Sequence, residues 1–407
     1  MSEPGEEGEA ALSQRSLSSG AAGAVAPRVA RPSKREREDR SCAVNGWEAK
    51  RSGGLPAATG KREREGPEKG RGAKKEQNCT DQSAILSFTT GERKLSYQTS
   101  SRLVVRYSDC CWTDDSDWDL KIDANTTTNT KTGTVNTSPV SLLFPIIRIQ
   151  SGCGQGTINI PVADADGDVV KCRWALSNNQ ECGTACNRLP SNTLDSLQCI
   201  LNVNSVGVGT YIAALQIEDF RPINSSNIPY TSIPLQFSIN VYNSPQPCRE
   251  LPSVLSGLSD RSVVFIEAKC KWTQAIIAKS TALRISEIVT ASPPGLSLSG
   301  LTQFDNSFLS YTYASWTPDS TQLGPHIFCY AAVDSLGRMS AVECLVLSVT
   351  RDECEHSDCA QVCSTCNRES YICSCNTGYT LDAGGRACNA LTGAQDLDSQ
   401  PYVHKRL

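Results

Sequence analysis

Six cysteines near the C-terminal end, Cys354, Cys359, Cys363, Cys373, Cys375 and Cys388, follow the spacing C-x4-C-x3-C-x9-C-x-C-x12-C. A segment this short depends on oxidised cysteines to hold its fold. The ladder therefore excludes a reducing compartment, at least for this part of the chain. Inside it runs Tyr371-Ile-Cys-Ser-Cys-Asn-Thr-Gly-Tyr379, with an aromatic before C-x-C and Gly-Tyr after it.

The ladder and its setting resemble an epidermal-growth-factor-like (EGF-like) module, which would span residues 351–389. The remaining cysteines fit the same chemistry. The chain has 407 residues and 20 cysteines. Of its short-gap pairs, Cys363-x2-Cys366 lies inside the ladder, and Cys182-x3-Cys186 lacks a His/Cys pair at zinc spacing. Disulfides are the better reading.

Residues 1–77 are dominated by Gly, Ala, Ser, Pro, Arg, Lys and Glu, a composition that predicts disorder. Composition changes at Cys79, and residues 78–141 are expected to form a β segment joined to the unit that follows. From 142 to 246 apolar residues alternate. Ile158, Ile160 and Val162 share one face, as do Leu235, Phe237, Ile239 and Val241. Period two with turn residues between strands predicts an antiparallel β-sandwich. Residues 247–350 repeat the plan: ten positions separate Gly209 from Asp219 and Gly324 from Asp334, with an apolar strand between. These endings resemble the last hairpin of immunoglobulin-like and cadherin-like sandwiches. The fold class expected is all-β: two tandem immunoglobulin/cadherin-like sandwiches, one EGF-like module and a polar tail, 390–407. Residues 140–350 are also similar to uncharacterised extracellular regions of invertebrate proteins akin to von Willebrand factor D and EGF domain-containing proteins. That resemblance implies a multidomain surface or matrix protein and carries over no catalytic site.

Cysteine parity suggests pairings. The second sandwich holds an even set. Cys329 and Cys344 fall on neighbouring strands and can pair, which leaves Cys248 with Cys270. The first sandwich holds five cysteines and the segment before it three, Cys79, Cys110 and Cys111, so the two are expected to be tied covalently. Cys366 is a seventh cysteine in the ladder. A free thiol, a bond to another chain and a shuffled ladder all stay open for it. Cys42 is the other orphan.

Calcium is the candidate cofactor, at two sites. The resemblance implies acids just before the first ladder cysteine and an Asn or Asp later. Asp352, Glu353 and Asn367 are the candidates, although Thr350 stands where the first acid belongs. The second site is Asp164-Ala-Asp166-Gly-Asp168, which resembles the acidic turn of calcium-dependent cadherin-like modules. An EF-hand is rejected because its twelfth position is Ala175 and strands flank the motif. A plain polar turn is the competing reading.

Enzymatic signatures are missing. The three histidines, His326, His356 and His404, are scattered, and no Gly-x-Ser-x-Gly, His-Glu-x-x-His or phosphate loop occurs. A formal net charge of -4 gives no footprint for nucleic acid. Sequons at Asn78, Asn125, Asn136 and Asn224 are candidate glycosylation sites. No run of 18 or more apolar residues occurs, and Met1 opens an acidic, polar stretch unlike a signal peptide. The sequence is therefore expected to be a fragment, or to start from a wrong first exon, of an extracellular protein. Its expected work is contact with other extracellular proteins, in adhesion or matrix architecture. The alternatives are a ligand or receptor ectodomain signalling through the EGF-like module and, more remotely, a secreted enzyme.

Overall fold

The computed structural model describes residues 47–50, 77–93, 102–113, 116–125, 135–390 and 402–403, except 155, 205, 221–227, 256, 282, 305–307, 353, 355–356, 358, 365, 367–371, 378 and 383. Among the described residues every regular element is a strand apart from three short 3-10 turns. The protein is all-β. Within the stretch expected to be structureless, Trp47–Lys50 forms a strand on the edge of Arg102–Thr113. Main-chain pairing to an open edge needs no apolar pattern, so composition did not signal it.

In the first sandwich, Gly209–Phe220 pairs antiparallel with Thr231–Tyr242, from Gly209 opposite Val241 to Glu218 opposite Ser232. Val169–Trp174 flanks the former strand and Ile146–Gln150 runs parallel to the latter. A second sheet is made of Asn192–Asp195, Ile200–Val203 and Thr157–Asn159. Ala213, Leu215 and Ile217 join Ile158, Ile160 and Leu201 in the core between the sheets. The opposite face is covered too. The long hairpin Arg102–Thr113 and Ser116–Asn125 joins Thr231–Tyr242 edge to edge, and its Tyr107 and Leu120 pack on Ile212 and Ala214.

The second sandwich repeats this order and these directions. Gly324–Asp334 pairs with Glu343–Thr350, with Gly324 opposite Val349. Ile285–Ala291 flanks the former and Ser262–Glu267 runs parallel to the latter. The facing sheet comprises Ser253–Leu255, Trp272–Lys279, Leu309–Trp316, Ser297–Leu298 and Thr302–Gln303. Phe328, Tyr330 and Ala332 point into the core with Trp316 and Ile276. Ile327, Ala331 and Val333 point the other way and are buried as well, in a core continuous with that of the first sandwich.

The cover for that outer face comes from the N-terminal side. The hairpin Gln77–Ser83 and Phe88–Arg93 docks on Ile285–Ala291. Asp81 accepts hydrogen bonds from Thr290 Oγ1 (2.6 Å) and from Ser292 N (3.0 Å) and Oγ (2.5 Å). Ser83 donates to Glu287 (2.7 Å). Leu86 and Phe88 enter the shared core, where Phe88 meets Phe144 at a centroid distance of 6.3 Å. The segment 78–141 is thus divided. Residues 102–125 extend the first sandwich, while 77–93 serves the second.

Eight disulfides are formed among the described residues. Cys329–Cys344 forms as expected from its neighbouring strands, and Cys172–Cys199 and Cys182–Cys186 close within the first sandwich. Cys248 and Cys270 do not bond each other. Cys248 bonds Cys153, and Cys270 bonds Cys366. Counting cysteines unit by unit failed because both bonds cross unit boundaries. Cys366 is therefore neither free nor shuffled. The ladder's own cysteines pair Cys354–Cys363, Cys359–Cys373 and Cys375–Cys388. The side chains of Cys42, Cys79, Cys110 and Cys111 lie outside what is described.

Phe144 is fully buried where the hairpin meets the shared core. Phe144→Ala should cost about 3–5 kcal/mol in denaturant melts. Leu197→Ala, at a side chain 65% exposed, should stay within about 0.5 kcal/mol.

Candidate metal centre

The acidic turn lies between Val162–Ala163 and Val169–Trp174. Its shape follows from its sequence. Asp164 Oδ1 accepts the N–H groups of Asp166 (2.8 Å) and Asp168 (3.1 Å), which wraps the backbone around one carboxylate oxygen. Gly167 sits at φ +74°, where a side chain would strain the backbone. One carboxylate oxygen from each of Asp164, Asp166 and Asp168 lies within 4.8 Å of the others.

Asn136, Thr137 and Asp219 surround the site, and none was assigned to it from sequence. The short Val140–Ser141 strand pairs with Val162–Ala163, which carries the residues before it to the turn. There Thr137 donates to Asp166 Oδ2 from its N–H (2.5 Å) and its hydroxyl (2.7 Å). Asn136 Nδ2 donates to Asp219 Oδ2 (2.7 Å) and to the Thr137 carbonyl (2.9 Å). Asp219 stands opposite Val170 on the neighbouring strand and is fully buried. Its Oδ1 accepts from Thr231 N (2.5 Å) and Oγ1 (2.7 Å). A pattern signal for Asp219 did exist in the repeated Gly-to-Asp strand, but nothing in that repeat linked it to a turn more than 50 residues earlier.

The electrostatics are those of a site short of positive charge. Burial pushes the Asp164 carboxyl up to about 7, against the two N–H bonds it accepts and with the help of the Asp219 and Asp166 charges. Burial also raises Asp219, against its bonds from Asn136 and Thr231. Asp164 Oδ2 is buried and accepts no hydrogen bond. Among the described residues Asp164, Asp166 and Asp219 have no ion-pair partner. The second sandwich solves the same problem internally. Asp334 ends the repeated strand as Asp219 does, and its Oδ2 accepts from the buried Arg338 Nε (2.7 Å). The donor set of the first sandwich is all oxygen and several-fold anionic, with one buried oxygen unsatisfied. It fits a hard cation such as calcium.

The second candidate site is arranged differently. Asp352 accepts from Cys354 N (2.9 Å) and from Lys269 Nζ (2.7 Å). Although burial opposes it, the hydrogen bond and charge of Lys269 hold its carboxyl below the usual range. Lys269 precedes Cys270, so ion pair and disulfide together fasten the ladder to the second sandwich. Glu353 and Asn367 lie outside the described residues. Of the sequons, Asn136 is corrected: it is 6% exposed with Nδ2 engaged by Asp219, so the folded chain offers no acceptor there. Asn125 is half-buried at a strand end, and the side chains of Asn78 and Asn224 are not described. His326 is half-buried, with Nε2 2.8 Å from the Gln322 carbonyl oxygen, and desolvation lowers its pKa. His356 and His404 lie outside the described residues.

No family model matches the chain, and no curated protein matches its sequence. The chain is similar to the solved GspB Siglec domain at 10% identity and TM-score 0.21, over 25% of this chain and 59% of that one. It is similar to an endo-fucoidan hydrolase from glycoside hydrolase family 107 at 12% identity and TM-score 0.19, over 75% and 39%. With extracellular cadherin domains 1–4 of protocadherin gamma B7 the values are 13% and 0.20, over 69% and 66%. The chain thus spans less than two thirds of the first two. Scores this low carry no argument about activity or partner.

The raised Asp164 carboxyl gives a pH signature. An unfolded Asp titrates near 3.8 and folded Asp164 near 7. Between those values the folded state holds more protons, so stability of the calcium-free protein should fall as pH rises from about 4 to about 7. Thermal melts in chelator should show that slope, and Asp164→Asn should flatten it. At pH 7.5, calcium should raise the melting temperature of the parent and of Asp352→Asn, but not of Asp164→Asn.

Proposed function

We propose that this chain is part of an extracellular protein whose work is contact with other proteins, in adhesion or matrix architecture. The observation that carries the reading is the covalent tying of its units. Cys153–Cys248 and Cys270–Cys366 join neighbouring parts of one all-β body, which suits a scaffold that presents surfaces at fixed spacing. Disulfides at this density belong to an oxidising compartment. Among the described residues no helix is long and apolar enough to cross a membrane.

Calcium enters this reading at the first sandwich. Asp164, Asp166 and Asp168 would hold it, with Asp219 close behind and Asn136 and Thr137 orienting the carboxylates. A bound cation would supply positive charge beside Asp164, Asp166 and Asp219, which have no ion-pair partner among the described residues, and it would stiffen the turn against the segment before Val140. The EGF-like module is a contact or spacer element in this scheme. Its attachment through Cys270–Cys366 disfavours release as a separate ligand. No enzymatic role is proposed.

Beads carrying the full chain should bind cell surfaces or matrix-coated plates, or cluster with one another, and chelator should weaken this. Beads that stay dispersed and bind nothing, or turnover by the purified chain in a broad screen of hydrolase substrates, would overturn the contact reading.

A further inference from the structure

The two sandwiches meet over a shared apolar core, but apolar contact has no direction of its own and leaves two bodies free to swivel. Directional bonds stand at two places around it. The first is the strand Ile146–Gln150. Its Ile147 and Ile149 lie in the core, so Arg148 and Gln150 face the other way. Arg148 Nη1 donates to the Gly337 carbonyl of the second sandwich (2.6 Å). The same guanidinium lies over the Tyr242 ring, 4.4 Å from its centroid. Gln150 Nε2 donates to the Gln246 carbonyl (2.6 Å) in the link between the sandwiches, which Cys153–Cys248 also fastens.

The carbonyl that Arg148 takes is held in place by the turn around it. Asp334 Oδ1 accepts the N–H groups of Leu336 and Arg338 (both 2.9 Å). Arg338 binds Asp334 through Nε and reaches the link through Nη2, which donates to the Glu250 carbonyl (2.8 Å). One turn therefore grips the first sandwich at Gly337 and the link at Arg338. Gly337 meets two demands there. It sits at φ +73°, and a Cβ on it would stand 2.5 Å from Arg148 Nη1.

The second place is on the other sheet of the first sandwich, at Thr157–Asn159. Asn159 Nδ2 donates to Asp260 Oδ2 (2.9 Å), while Asp260 Oδ1 accepts from Cys344 N (2.8 Å). Arg261 Nη1 donates to the Gln198 carbonyl (2.8 Å). Bonds on both layers oppose rotation about either one alone. We propose that the turn at 334–338 is a latch: gripped by Arg148, it locks the second sandwich at one angle to the first. This concerns the shape of the protein and goes beyond the contact reading, so either can fail without the other.

Distances between two spin labels in the full chain, read by pulsed electron resonance, test the latch. Labels on unnatural amino acids in place of Val169 and Tyr313, which are 42% and 46% exposed, add no thiol. The labelled parent should give one narrow distribution. Arg148→Ala and Gly337→Ala should each broaden it, and combining them should broaden it no further, because both act on one bond. Arg148→Lys keeps a donor for the Gly337 carbonyl and should fall between the parent and Arg148→Ala. Hydrogen exchange separates a latch from a packing residue. In Arg148→Ala the amides at 336–338 should exchange about tenfold faster or more, as loss of a hydrogen bond from a charged donor allows, while the core strands of both sandwiches stay protected. A broad distribution in the parent overturns the proposal, as does a narrow one kept by both alanine variants. Loss of protection throughout both cores in Arg148→Ala would make Arg148 a packing residue and overturn it as well.

Discussion

The strand Gly324–Asp334 is buried on both sides, and much of the architecture follows from that. A strand with one apolar face needs one partner layer, whereas this one needs two. Phe328, Tyr330 and Ala332 take the inner layer, where Trp316 and Ile276 meet them. Ile327, Ala331 and Val333 would face water if nothing else packed there. The hairpin at 77–93 and the stretch around Leu143 and Phe144 fill that side, and the two sandwiches share a core as a result. Asp81 is the polar clamp of this arrangement, accepting from Thr290 and Ser292 at the sheet's end.

The two sandwiches also show one electrostatic difficulty with two solutions. Each repeated strand carries a fully buried aspartate at or next to its last residue, a costly place for a charge without compensation. In the second sandwich Arg338 comes round a four-residue turn and binds Asp334 directly. In the first, Asp219 has neutral donors, Asn136 and Thr231, and lies beside three more acids. One repeat carries its counter-charge in the chain, whereas the aspartate of the other is met by neutral donors.

The strand Thr231–Tyr242 was legible because its second face, though also buried, carries the polar Ser232, Gln236 and Ser238, so the apolar alternation survives. Leu235, Phe237, Ile239 and Val241 are all in the core. Gly324–Asp334 was less so, since Tyr330, Ala331 and Ala332 read simply as apolar. The pairing of Cys329 with Cys344 followed from strand adjacency, a local property. The partners of Cys248 and Cys270 did not, because sequence separations of 95 and 96 residues depend on how whole units are placed. The same limit hid the site's neighbours. Asp164, Asp166 and Asp168 sit together in one turn, but Asn136 reaches Asp219 from 83 residues away. Asn136 read as a glycosylation acceptor because a sequon contains no information about burial.

The two long-range disulfides have a mechanical meaning. Under tension along the chain, force entering near Cys153 passes at once to Cys248, follows the backbone to Cys270 and crosses to Cys366. The strands enclosed by each bridge carry no load. Even with every hydrogen bond on that path broken, the 22-residue step from 248 to 270 can stretch only to about 75 Å. Reduction would bring both sandwiches into the line of force, so the redox state of two bonds sets how far this body can be drawn out before its folds begin to yield.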